Sequence, residues 1–242
     1  MLKQFCLLSA LTSMALASPL EVSKISTKAD PEYPKFETVP KFRGACPILS
    51  GTPKWNPATY VSRNWWQPIA SPFFWNFPGT TCISATYQPT GQLTSTGGVY
   101  FSVLNQGILP PQKQEKYGTE YEVANGQAVV NTAYNGTASV IFYNGTPDPE
   151  GTNYVVIDTD NETFAYVWYA ATYGKRTKKC RPILWLFLSD RNASDGTIKY
   201  HAEQAAGIIK SSGWRYADQF AESFEYWQTR GCPDVPNSPY DN

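Results

Sequence analysis

The chain has 242 residues and zero formal net charge, and only 17% of it is charged. Neutrality argues against a nucleic-acid partner, because binding phosphates requires a basic field. Aromatic residues make up 15%, with 8 Trp and 16 Tyr, which suits a wide aromatic interior.

The N-terminus reads as a secretory leader over residues 1–17. Lys3 gives a basic start, Phe5 to Leu16 is largely apolar, and Ala15-Leu16-Ala17 is a small-x-small cleavage site. That run is too short to span a bilayer and no later segment is longer, so no membrane span is expected. Cleavage removes Cys6 and leaves Cys46, Cys82, Cys180 and Cys232. An even count in an exported chain points to two disulfides, with three connectivities open. Four sequons agree with export and predict glycosylation at Asn135, Asn144, Asn161 and Asn192. The expected location is extracellular.

Residues 18–43 hold Pro31, Pro34 and Pro40 with little periodicity and read as a flexible arm or propeptide. About eight strand-like runs follow, with apolar and polar residues alternating. They cover Trp65 to Ile69, Ile83 to Gln88, Val99 to Val103, and Tyr121 to Val123 before an Asn125-Gly126 turn. The later ones cover Ala138 to Tyr143, Tyr154 to Ile157, Phe164 to Tyr173, and Ile183 to Leu188. Several are apolar on both faces, which suits a sheet curled round a dry interior and covered outside. Gly97-Gly98 reads as a turn or bulge, not a phosphate loop. Ile198, His201, Ala202, Ala205, Ile208 and Ile209 fall at helical spacing, with Gly213 as the stop. A shorter amphipathic stretch runs from Ala217 to Trp227, and 233–242 is a tail. The barrel domain is thus expected over 44–232. The expected fold is all-β: an eight-stranded antiparallel up-and-down barrel with a C-terminal helix outside.

Three short motifs then carry a resemblance. Arg63-Asn64-Trp65 is similar to a Gly-x-Trp motif with Arg63 in the glycine position. Thr159-Asp160-Asn161 is similar to Thr-Asp-Tyr, and Arg191 follows the last strand. Gly44-Ala45-Cys46-Pro47 and Gly231-Cys232-Pro233 add cysteines at matching places. In order and spacing, from about Gly44 to Cys232, the chain resembles the lipocalin family, especially its apolipoprotein D and retinol-binding branch. The resemblance implies that Trp65 plugs the closed end of the barrel and that Arg191 lies over its indole as a cation–π partner. It also implies the pairs Cys46–Cys180 and Cys82–Cys232.

On strand parity Ile83, Ala85, Tyr87, Phe101, Tyr154, Val156, Ala165, Val167, Trp185 and Phe187 face inward. They line either an ordinary packed core or a ligand cup. An eight-strand barrel of this length is expected to leave more room than its side chains fill. The expected function is therefore extracellular binding and carriage of a small hydrophobic molecule: a retinoid, carotenoid, sterol, fatty acid or pigment. No enzyme activity and no cofactor or metal is expected. Asp158, Asp160 and Glu162 sit at a strand end and turn, where carboxylates serve backbone N–H groups. The basic tip Gly174 to Lys179 reads either as a solvated turn or as a receptor for an anionic head. The lone His201 reads as a surface or helix-packing residue.

Two alternatives remain. A glycosylated interaction module would act through its outer surface, with Trp214 and Trp227 as candidate contacts. A lipocalin-type isomerase would need a free Cys82. Oligomeric state is not legible from this sequence.

Overall fold

The computed structural model describes residues 42–71, 79–142, 145–173 and 178–233. The expected leader, nearly all of the expected arm and tail, Asn144, and 174–177 of the basic tip lie outside these residues. In chain order the elements are β1 (Phe42–Arg43), α1 (Pro57–Tyr60), β2 (Trp65–Ala70), β3 (Thr81–Leu93), β4 (Val99–Ile108), α2 (Pro111–Tyr117) and β5 (Tyr121–Val130). They continue with β6 (Thr137–Phe142), β7 (Tyr154–Thr159), β8 (Phe164–Tyr173), β9 (Lys179–Leu188), α3 (Asp195–Ser211), α4 (Ala217–Glu222) and β10 (Glu225–Tyr226).

Each strand from β2 to β9 pairs antiparallel with the next, and β2 also pairs with β9. That last pairing, Trp66 with Leu188 and Ala70 with Trp185, closes the eight-stranded barrel. The two-residue strands β1 and β10 add to β9 and β2. Consecutive loops therefore alternate between the two barrel ends. The turns 94–98, 131–136 and 160–163 share the end at which Trp65 starts β2.

Period-two alternation splits the strand residues between two apolar clusters. β9 shows this most plainly. Trp185 and Phe187 face the interior, whereas Leu184, Leu186 and Leu188 face out into a second cluster. α3 covers that outer face with Ile198, Ala202, Ala205 and Ile209, one apolar stripe at helical spacing. Ser194 caps α3 by accepting from the Thr197 N–H at 3.0 Å. Gly213, with φ +71°, follows the Ser212 cap, where only a glycine takes that conformation freely. His201 sits at this seam, with Nδ1 2.7 Å from the Tyr166 hydroxyl and its ring against Phe164. Burial lowers its pKa, and Asp160 partly offsets the shift. Of the two expected roles, surface or packing, these contacts fit packing.

One expectation needs correction. Asn125-Gly126 is not a turn, because β5 runs unbroken from Tyr121 to Val130 and Gly126 pairs with Val103 and Phe142. The glycine is there for space: a Cβ on it would lie 2.6 Å from the Ile141 carbonyl oxygen and 2.7 Å from the Phe142 ring. Phe42, two residues before Gly44, joins the packing. Phe42 pairs with Cys180, is 4% exposed, and packs edge-on against Trp214 and Phe220.

Gly126→Ala is expected to destabilise the protein by about 1–3 kcal/mol, because the obstructing atom is backbone and cannot rotate away. Denaturant unfolding measures it, and an unchanged midpoint would contradict the packing described here.

Candidate functional site

The barrel interior is the candidate site. Ala85, Tyr87, Phe101, Tyr154, Val156, Ala165, Val167 and Phe187 join one buried inner cluster, and half-buried Trp185 packs against it. Ile83 is buried but is not part of that cluster. The register slips between Thr81 and Ser84, with Cys82 at φ 55°, so strict alternation fails there.

Residues 51–61 close the end at which β2 begins. Asn56 caps α1 by accepting from the Ala58 N–H at 3.1 Å, and Pro57 fills the first turn. α1 delivers Tyr60, which is 1% exposed and stacks on Trp65 with ring centroids 4.8 Å apart. The Trp65 indole N–H donates to the Tyr60 carbonyl at 2.9 Å. Trp65 is fully buried at this end. Asn161 fastens the segment from the β7–β8 turn. Its Oδ1 accepts from the Asn56 N–H at 2.6 Å, and its Nδ2 donates to the Lys54 carbonyl at 2.9 Å. These two bonds bracket Trp55, whose ring packs edge-on against Tyr60.

Above this floor three phenols meet. The Tyr154 hydroxyl lies 2.7 Å from that of Tyr60 and 2.7 Å from that of Tyr87. Burial raises all three pKa values, Tyr87 to about 12 and the other two well above the usual tyrosine range. For Tyr60 and Tyr154, repulsion from neighbouring phenolates adds to the effect. All three are neutral hydroxyls at physiological pH. Trp55, Tyr60, Tyr87 and Tyr154, with Phe101, Val61, Ala128, Val130, Ala138 and Val140, line a cavity of about 10 Å³, room for about one water. The floor is thus nearly filled by rings. Trp55 and Tyr60 fill it, and both precede the first barrel strand, where strand parity gives no signal. The one available signal was the Asn56-Pro57 helix start just ahead of Trp65.

Several buried polar atoms have no hydrogen-bond partner among the described residues. They include Trp55 Nε1, Gln67 Nε2 and Asn105 Oδ1. Asn105 shares the inward parity of Phe101 and Val103 on β4.

The motif residues divide by role. Thr159 Oγ1 donates to the Phe164 carbonyl at 2.6 Å and accepts from the Asn161 N–H at 2.8 Å. Asp160 Oδ1 accepts from the N–H groups of Glu162, Thr163 and Phe164. Burial alone would raise the Asp160 pKa, but these bonds and one from the Thr163 hydroxyl outweigh it and lower it. Both residues build the β7–β8 turn. The Arg191 guanidinium, expected over Trp65, lies 5.8 Å from the ring centroid of Trp66. Adjacent strand residues face opposite ways. Trp65 faces in, while Trp66 packs with Cys82 and Cys232.

The disulfides are Cys46–Cys180 and Cys82–Cys232, with Cα separations of 4.7 and 5.5 Å. Cys82 therefore offers no thiol. Asn135 and Asn161 lie in turns at the plugged end, and Asn192 lies between β9 and α3. Lys178 and Lys179 are exposed. Trp214 packs on Phe42 and Phe220, which accounts for it as a packing residue.

The buried phenols make stability fall as pH rises. The folded protein retains protons that the unfolded chain releases near its ordinary tyrosine pKa of about 10, so stability is full below that value and is lost above it. An ultraviolet absorbance titration is expected to show a late tyrosine phase that shrinks in a Tyr60→Phe, Tyr87→Phe, Tyr154→Phe variant. Ionisation of every tyrosine together near pH 10 would contradict the cluster.

No protein-family model and no curated protein sequence matches the chain. Solved structures do. Lobster apocrustacyanin A1 is 17% identical with a TM-score of 0.53, over 80% of this chain and 91% of that one. H1 crustacyanin from the lobster Homarus americanus is 17% identical with a TM-score of 0.53, over 84% of this chain and 96% of that one. Insecticyanin from the tobacco hornworm Manduca sexta is 14% identical with a TM-score of 0.53, over 78% and 88%. Crustacyanin and insecticyanin are lipocalins. With its closed eight-strand barrel and outer C-terminal helix, the chain has the lipocalin fold.

Proposed function

We propose that the protein binds and carries a small hydrophobic molecule inside its barrel, in the extracellular space. The observation that carries this reading is the inner wall, a closed ring of strands on which aliphatic and aromatic side chains form one buried cluster. Desolvating an apolar ligand there supplies the binding energy, roughly 0.8 kcal/mol per buried methylene. The phenol cluster fills the floor, so the ligand body rests on the mouth side of the Tyr154–Trp185 stack, whose centroids are 6.3 Å apart. Retinoids, carotenoids, sterols, fatty acids and pigments all have suitable apolar bodies. Two disulfides suit an oxidising compartment. No described helix is long and apolar enough to cross a membrane. With both of its sulfurs bonded, the Cys82–Cys232 pair gives an isomerase-type thiol mechanism no nucleophile.

One observation favours the interaction-module reading. Strands β3 to β6 carry a single charged residue, Glu122. Their surface includes an open groove of about 230 Å³ lined by Thr86, Gln88, Ser102, Leu104 and Asn125. Such an uncharged sheet face is unusual for free surface.

Titration of the purified protein with retinol and long-chain fatty acids, followed by tryptophan emission, tests carriage. Saturable quenching is expected, with affinity at least about tenfold weaker in Trp185→Ala. Silence across a broad lipid panel would overturn carriage and leave the outer face as the working surface. Replacing Lys178 and Lys179 by Ala leaves fatty-acid affinity unchanged if the basic tip is only solvated.

A further inference from the structure

We propose that the outer face of β3 to β6 binds a second copy of this chain, as a two-fold dimer with its axis near Ser102 and Gln127. This rests on the outer-face reading above and names its partner; it is independent of what the barrel carries. From Asn64 to Gln112 and from Val123 to Pro147 the chain has no Asp, Glu, Lys or Arg, although it is 17% charged overall. The one charge on these strands, Glu122, shares the inward parity of Ala128. The outward side of the four strands therefore holds none. Gln88, Ser102, Gln127 and Ile141 stand in one register row across them. All four are exposed. Beside this row Leu104 and Asn125 line the open groove, and Val123 is 43% exposed. α3 packs against β9 and β2, on another part of the barrel wall.

Charge decides which partner fits. In a two-fold interface the same patch meets itself, so a charge near the axis faces its own like. An uncharged patch has no such repulsion, whereas a charged one selects a different partner of opposite sign. A primary amide carries donors and an acceptor together, so Gln127 can bond its own copy. Loss of charged residues is also what sets the centre of an interface apart from other surface. Shape and area agree. A convex barrel wall needs a hollow for close contact, and the groove beside Leu104 offers one to Ile141 of the second copy, in both directions at once. β3, β4 and β5 are 13, 10 and 10 residues long. Ten residues by four strands is about 33 by 19 Å. Two such faces bury roughly 1,200 Å², the lower end for a specific and reversible pair. None of the four sequon asparagines lies on β3 to β6, so no glycan stands on the row.

Sedimentation velocity of the purified chain, from about 1 to 100 μM, tests the pairing in the range where an interface of this size associates. The wild type is expected to pass from monomer to dimer. Gln127→Glu and Gln127→Lys are each expected to raise the dissociation constant at least about tenfold. An equimolar mixture of the two is expected to restore the dimer, because opposite charges then meet across the axis. Thermal unfolding checks that each variant folds, and the same two changes at Ser102 take their place if either does not. A wild type still monomeric at about 100 μM overturns the second copy and leaves the outer face to a partner of another kind. A dimer unmoved by both charges uses another surface, which also overturns the proposal. Charges that break the dimer without rescue in the mixture rule out the two-fold axis at this row. Retinol and fatty-acid titration reads the interior, which none of these changes touches, so carriage stands or fails separately.

Discussion

The pairing of β2 with β9 is the constraint on which the rest depends. It joins residues more than a hundred positions apart, Trp66 to Leu188 and Ala70 to Trp185. Closure removes the two free sheet edges. It also gives every strand an inside and an outside, so that each alternating side chain is committed to one of two cores. Long-range pairing of this kind is slow to form and entropically costly. The two disulfides, with sequence separations of 134 and 150, tie the same distant parts of the chain. Cys46–Cys180 holds the chain before α1 against β9. Cys82–Cys232 holds the C-terminal segment beside Trp66, where Arg191 also rests. The seam is therefore flanked by covalent links.

The two cores differ in kind. The outer one is helix against sheet: the small residues Ala202 and Ala205 let α3 approach the leucine row of β9. Phe42, Trp168, Trp214 and Phe220 pack edge-on in one aromatic group within it. The inner core is rings and hydroxyls. It is solid near Trp65, where the hydroxyls of Tyr60, Tyr87 and Tyr154 meet. A uniformly greasy interior discriminates poorly, because apolar contacts say little about which molecule fills them.

The plugged end shows how local turn chemistry becomes site geometry. Asp160 and Thr159 satisfy the backbone of the β7–β8 turn. That turn sets Asn161 at positive φ. From there its amide reaches Lys54 and Asn56 and holds Trp55 over the floor. Three consecutive residues thus link a tight turn to an indole in the barrel.

By itself the sequence determined the strand count, the antiparallel order, the inward set from Ala85 to Phe187, the covering helix and the number of cysteine pairs. These follow from period-two and period-3.6 patterns, which are local and survive in any context. Local patterns could not decide three things. Asn125-Gly126 looks like a turn in sequence, yet cross-strand contact with Phe142 makes it mid-strand. Whether Trp65 or Trp66 receives Arg191 depends on which side of the closed sheet the chain leaves β9. The fullness of the floor depends on Trp55 and Tyr60, which lie outside every strand, in a segment that Asn161, more than a hundred residues later, anchors through Lys54 and Asn56. Periodicity records which way a side chain faces along its own element; only closure of the sheet decides what it meets there.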